Sequence, residues 1–157
     1  MANVAVVGLG FVGLTLSIVA SKKGYKVFGI DTNSEILDQL SIDKAHFYEK
    51  DIDALIQSVS GNSFFFGKEF GDFENINFSY IIITVGTPIS DDKKLNLEYI
   101  LSAIDAIKPI YDGTQLVILR STVSVGTTRK VVLPYLSKMV NINEDKILLS
   151  FCPERTI

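Results

Sequence analysis

Cysteine is nearly missing from this chain. Cys152 stands alone among 157 residues, which excludes an internal disulfide and points to the reducing cytoplasm. Histidine is as scarce: the single one, His46, falls in the polar, irregular stretch from Ile42 to Lys50, where an imidazole reads as surface rather than as a catalytic base. No cationic block occurs, and a net charge of −3 gives no electrostatic case for nucleic acid or an anionic membrane as partner. The chain has no low-complexity tract and no repeat of solenoid period, and no metal site is expected.

Charge is missing in one further place. From Met1 to Ser21 no side chain is ionised, and Lys22-Lys23 follow, which is the outline of a signal anchor. No basic segment precedes it, however, and Gly8, Gly10, Gly13, Thr15 and Ser17 thin the hydrophobicity of any possible span. The stretch reads as a buried strand followed by a helix.

What is present organises itself around Asn3 to Asp31, NVAVVGLGFVGLTLSIVASKKGYKVFGID. An apolar run is followed by Gly8-Leu9-Gly10-Phe11-Val12-Gly13, a helical period of Val12, Leu16, Val19 and Ala20, a second apolar run and an acid. The order is strand, glycine turn, helix, strand, carboxylate. Gly8 allows the tight turn off the strand, Gly10 lets backbone amides approach a pyrophosphate, and Gly13 lets the helix pack close to the sheet. The helix then offers its positive end to phosphates. Asp31 accepts both ribose hydroxyls, and its charge repels a 2′-phosphate, so the cofactor expected is NAD. The plainer alternative is a βαβ unit whose glycines serve packing only.

The remaining chain suits one domain with a sizeable core. Ser34 to Leu40 reads as a short helix capped by Asn33 or Ser34, and Asp51 to Val59 as a helix with Ile52, Leu55, Ile56 and Val59 on one face. Phe64-Phe65-Phe66 reads as a core strand rather than a base-stacking platform, because no Arg or Lys pairs stand near it. Gly67 to Asn77 is a polar connection. Tyr80 to Val85 is a continuous apolar run, as expected of a central parallel strand, and ends in Gly86-Thr87-Pro88. Those three suit a loop against a cofactor, although turn chemistry alone also explains them. Ile89 to Lys94 reads as an exposed, charged loop. Asn96 caps a helix from Leu97 to Ile107 that Pro109 stops. Gln115 to Leu119 is a fifth strand with Arg120-Ser121-Thr122 at its tip. Gly126 starts a helix to about Lys138 with Pro134 as a potential kink, and Lys146 to Phe151 is a sixth strand. Alternating strands and helices predict an α/β fold: a single-domain, Rossmann-type doubly wound parallel sheet of order 3-2-1-4-5-6.

That order puts three further segments on the edge of the sheet that carries the glycine turn: Val85 to Pro88, Ser121 to Val123 with Gly126 to Thr128, and Cys152-Pro153-Glu154-Arg155. With the glycine turn and Glu49 to Leu55, they resemble the N-terminal NAD-binding domain of the UDP-glucose/GDP-mannose dehydrogenase family, over essentially the whole chain. The Cys-Pro-Glu-Arg ending looks most like the branch that oxidises UDP-N-acetylhexosamines, with UDP-N-acetylmannosamine the expected substrate.

The resemblance implies a cytoplasmic, homodimeric enzyme of nucleotide-sugar metabolism. It uses two NAD to convert a sugar C6 alcohol to a carboxylate through a thiohemiacetal and a thioester on a cysteine. Carried over, Gly8, Gly10, Phe11, Val12, Gly13 and Asp31 bind the adenosine diphosphate half of NAD. Thr87 and Pro88 line its wall, and Ser121 and Thr122 approach the nicotinamide. Thr122 also orients a water, and Glu154 assists proton transfer or the hydrolytic water; a helix-start or salt-bridge role beside Arg155 is the other reading of Glu154. The nucleophilic cysteine and its lysine partner belong to motifs absent here, so residues 1–157 read as a truncated piece without the central helix and the UDP-sugar-binding domain, inactive alone. Cys152 sits in the wrong motif to be the nucleophile, and its place before a proline suits a buried thiol. Where the family often has a basic residue after the ribose-binding acid, this chain has Ser34-Glu35-Ile36. Two other functions share the fold: a regulatory NAD-sensing module and a β-hydroxyacid dehydrogenase fragment.

Overall fold

The structure is a computed structural model and describes residues 2–73, 75–88 and 96–154. Six strands, β1 (Asn3–Val7), β2 (Lys26–Ile30), β3 (Phe64–Gly67), β4 (Tyr80–Ile83), β5 (Leu116–Leu119) and β6 (Leu149–Phe151), form one sheet in the order β3-β2-β1-β4-β5-β6. Every pairing is parallel, so the expected order 3-2-1-4-5-6 holds. Among the described residues the connecting α-helices are α1 (Phe11–Lys22), α2 (Ser34–Ser41), α3 (Ile52–Val59), α4 (Glu98–Ala106) and α5 (Leu133–Val140).

Alternation along the strands divides the core in two. Val4, Val6, Val27 and Phe64 face one way and are covered by Leu14 and Ile18 of α1, Leu40 of α2 and Ile52, Ile56 and Val59 of α3. Ala5, Val7, Ile81, Ile83, Val117 and Leu119 face the other way, against Ile100 and Ile104 of α4, Val132 of the turn before α5 and Leu136 of α5. Both faces of the central strands are buried, which is why those strands lack polar alternation.

Several local expectations move. The cap of α2 is Asn33, whose side chain accepts from the Glu35 amide at 3.0 Å. The polar connection after β3 contains a 3-10 turn, Phe70–Asp72, that buries Phe70. The run after Gly126 opens as a π-helical turn, Thr128–Val132, and Pro134 then sits in the first turn of α5, where its missing N–H costs nothing. The sixth strand begins at Leu149, because Glu144–Lys146 forms a 3-10 turn. The Ile89 to Lys94 loop lies outside the described residues, as does Arg155.

Candidate functional site

β1 leaves the sheet at Gly8, whose φ of +93° only glycine adopts without strain. Its amide donates to Ile30 O at 2.9 Å. The next amide, Leu9 N–H, donates to Asp31 Oδ2 at 2.7 Å, and Asp31 Oδ1 accepts from Asn33 N–H at 2.9 Å. Leu9 is fully buried and lies on Gly29, where an added Cβ would stand 2.6 Å from Leu9 Cδ2.

Gly13 and Gly10 serve different purposes. A Cβ on Gly13 would stand 1.9 Å from Gly8 O and 2.6 Å from Thr84 Oγ1, so the helix approaches the turn as closely as backbone allows. Thr84, just past β4, clasps the same turn by donating to Gly8 O at 2.7 Å and to Val7 O at 3.0 Å. A Cβ on Gly10 would meet nothing within 4 Å. No packing inside the protein demands a glycine there, and the space above it is open. α1 starts at this point with no side-chain cap and no acidic residue in its first turn, so the amides of Phe11, Val12 and Gly13 face that space without a side-chain acceptor. An open cradle over uncapped amides, with a carboxylate held beside it, matches a pyrophosphate and an adjoining ribose diol.

From the turn, a cleft of 910 Å³ runs past Gly10 and Asp31 to Lys68 and Phe70 on one side and to Gly86 and Tyr99 on the other. Among its described lining residues, Asp31, Glu69 and Asp105 outnumber the single cation Lys68, so an additional 2′-phosphate meets net repulsion. A separate cavity of 1030 Å³, lined by residues such as Glu35, His46, Tyr48 and Ile52, contains none of the strand-tip residues. Its wall is the segment before α3, clamped by Asp53, which accepts from Ala45 N–H at 3.0 Å and from Lys44 Nζ at 2.9 Å. These contacts hold the Asp53 carboxyl below its ordinary range, with the Ala45 amide the larger cause. The same segment places Phe47 against the half-exposed Phe11 ring of the glycine turn, with centroids 4.8 Å apart. His46 is exposed, as expected; partial burial lowers its imidazole from the ordinary value, and the Asp31 charge pulls the other way.

The other strand tips interlock beyond this cleft. Ser121 Oγ donates to Val85 O at 2.6 Å, and Thr87 Oγ1 donates to Thr122 O at 2.7 Å, so the ends of β4 and β5 are crosslinked twice. Pro88 and Thr122 are exposed beside them. Glu154 pairs with Arg120 of the β5 tip. Cys152 is exposed, which corrects the buried thiol expected from sequence. It follows β6, which among the described residues is an edge strand. The glycine turn and Asp31 are thus brought into direct contact, and Thr87 meets Thr122. Thr87, Pro88, Ser121, Thr122 and Glu154 are not part of the cleft lining.

Sequence reasoning passed over Thr84, Gly29 and Arg120. A threonine closing an isoleucine run and a glycine inside a strand were available signals; Arg120 carried none beyond its place at a strand tip.

Residues 2–157 match the UDP-glucose/GDP-mannose dehydrogenase family's NAD binding domain. The UDP-N-acetyl-D-mannosamine dehydrogenase of Pyrococcus horikoshii is 32% identical over 99% of this chain and 37% of that protein, and its solved structure superposes with a TM-score of 0.87. An NDP-N-acetyl-D-galactosaminuronic acid dehydrogenase from Ralstonia nicotianae is 29% identical, again over 99% of this chain and 37% of the relative. The ternary-complex structure of GDP-mannose dehydrogenase from Pseudomonas aeruginosa is 25% identical, with a TM-score of 0.86 over 98% of this chain and 36% of that one. The chain therefore spans a little over a third of the length of these relatives. With a glycine turn closed on Asp31 and a family match from end to end, the chain belongs to the UDP-glucose/GDP-mannose dehydrogenase family as its NAD-binding domain.

Proposed function

We propose that this chain is the cofactor-binding part of a cytoplasmic nucleotide-sugar 6-dehydrogenase that oxidises the C6 alcohol of a UDP-sugar, UDP-N-acetylmannosamine, to the carboxylate with two NAD. The observation that carries the reading is the closure of the glycine turn on Asp31 at 2.7 Å beside the open space over Gly10. The turn from Gly8 to Gly13 holds the pyrophosphate over Gly10 through the amides of Phe11, Val12 and Gly13, and the remaining lone pairs of Asp31 accept ribose hydroxyls. NAD, when bound, supplies the hydride acceptor.

Around that acceptor the chain's own residues bind and orient. Thr87 and Pro88 wall the cofactor, and Ser121 and Thr122 stand at the nicotinamide end. Because the Ser121 and Thr87 hydroxyl protons are committed to Val85 O and Thr122 O, both oxygens can serve the cofactor only as acceptors. Thr122 orients a water through its exposed hydroxyl, and Glu154 moves a proton to or from it. The substrate choice is supported by Cys152-Pro153-Glu154-Arg155 and by likeness to relatives named UDP-N-acetyl-D-mannosamine dehydrogenase. Cys152, beside Arg120, is not the nucleophile. The chain alone binds NAD without oxidising a sugar, and the complete protein is a homodimer.

Calorimetric titration of the chain tests the reading. NAD⁺ should bind more tightly than NADP⁺, and Asp31→Ala should weaken NAD⁺ by about 10- to 100-fold, the value of a hydrogen bond to a charged group. Tighter binding of NADP⁺ overturns the role of Asp31. In the complete protein, faster turnover of UDP-glucose than of UDP-N-acetylmannosamine overturns the substrate.

A further inference from the structure

Arg120 is the first residue past β5, and its side chain touches two residues of the β6 tip. Its backbone is fixed in the sheet, with its amide donating to Ile83 O at 2.9 Å. Its side chain crosses to the neighbouring tip, where Nη2 donates to Glu154 Oε2 and Nη1 to Cys152 Sγ at 3.5 Å. Nε is buried and has no hydrogen-bond partner, so the head group takes its orientation from Glu154 and Cys152.

Among the described residues β6 has three residues and pairs with β5 alone, and the Cys152 amide makes the last backbone bond to β5 in this direction, to Leu119 O at 2.9 Å. Two residues later the sheet no longer sets where a side chain goes. A guanidinium rooted on β5 constrains Glu154 there, and its planar fork fixes direction as well as distance, which an ammonium does not. With side chains only 21% and 30% exposed, the pair is less screened than a surface pair.

We propose that Arg120 is a positioning residue that holds the Glu154 carboxylate, in its ionised form, at the tip of β5. The inference rests on the reading of Glu154 as the group that handles the proton. A guanidinium at this distance favours the carboxylate over the acid, so Glu154 is poised to take a proton rather than to give one.

Carbon-13 NMR of the Glu154 side-chain carboxyl, assigned against Glu154→Gln and followed across pH in the chain itself, tests the pair. Arg120→Gln should raise the midpoint by about one pH unit, and Arg120→Lys should fall between. NAD affinity and the thermal midpoint, both retained in Arg120→Lys, serve as the check on folding. An unchanged Glu154 midpoint in folded Arg120→Gln overturns the proposal. In the complete dehydrogenase, the acid limb of the kcat profile should move to higher pH in Arg120→Gln while KM for NAD holds. Full turnover by Glu154→Gln overturns the proton role of Glu154, while the NMR result still reports on the ion pair and the NAD titration on the cofactor reading.

Discussion

The Leu9 amide donates to Asp31 Oδ2 at 2.7 Å, so the residue after the turn glycine and the acid just past β2 are joined within the protein itself. The other oxygen accepts from Asn33 N–H, and Asn33 in turn caps α2 through the Glu35 amide. One carboxylate thus sets the turn, the strand tip and the next helix start, and the site is organised in advance of its ligand. Asp31→Ala should therefore cost stability as well as affinity. A loss of about 1.5–3 kcal/mol in urea unfolding is expected, since a charge-assisted bond is removed and a turn amide is left without its acceptor.

Gly10 and Gly13 should separate binding from folding. Gly10→Ala places a methyl in open space and should leave the unfolding midpoint unchanged while NAD⁺ binding drops below detection in calorimetry. Gly13→Ala drives a methyl into Gly8 O and should destabilise by about 3 kcal/mol or prevent folding. Equal effects of the two on the thermal midpoint would contradict this division.

Thr84→Val should release the turn. Its hydroxyl holds the Gly8 and Val7 carbonyls, and valine is close in shape but brings no donor, so about 1–2 kcal/mol of stability should go, with weaker NAD⁺ binding. Thr84→Ser, which keeps the hydroxyl, should recover most of the affinity in the same titration.

Acid should loosen the segment before α3. The folded protein holds Asp53 below its ordinary value of 3.8, chiefly through Ala45 N–H and then Lys44. Because the unfolded chain takes up that proton more readily, the stabilisation is complete above about pH 4 and is lost as pH falls through the folded value. Urea midpoints followed from about pH 6 to about pH 3 should fall less steeply in Asp53→Asn than in wild type.

The glycine turn, Asp31 and the order of the sheet were legible in the amino acids because each rests on a short-range property: positive φ at Gly8, helical period in α1, and unbroken apolar runs in strands buried on both faces. Cys152 was misjudged because nothing local to it says that β6 is an edge. The Arg120 partner of Glu154 could not be read for a related reason: Arg120 lies 34 residues away and meets it only through pairing of β5 with β6.

The sequence by itself determined that a dinucleotide turn exists and which acid follows it, since three glycines and a carboxylate between two strands have few other uses. Only the tertiary structure decided what holds that turn and what faces it. Thr84 reaches Gly8 across 76 residues, Ser121 and Thr87 tie β4 to β5, and Arg120 reaches Glu154. The physical reason is that parallel strands are joined through long crossovers, so the residues that meet at their tips share an edge in space and no spacing in the chain.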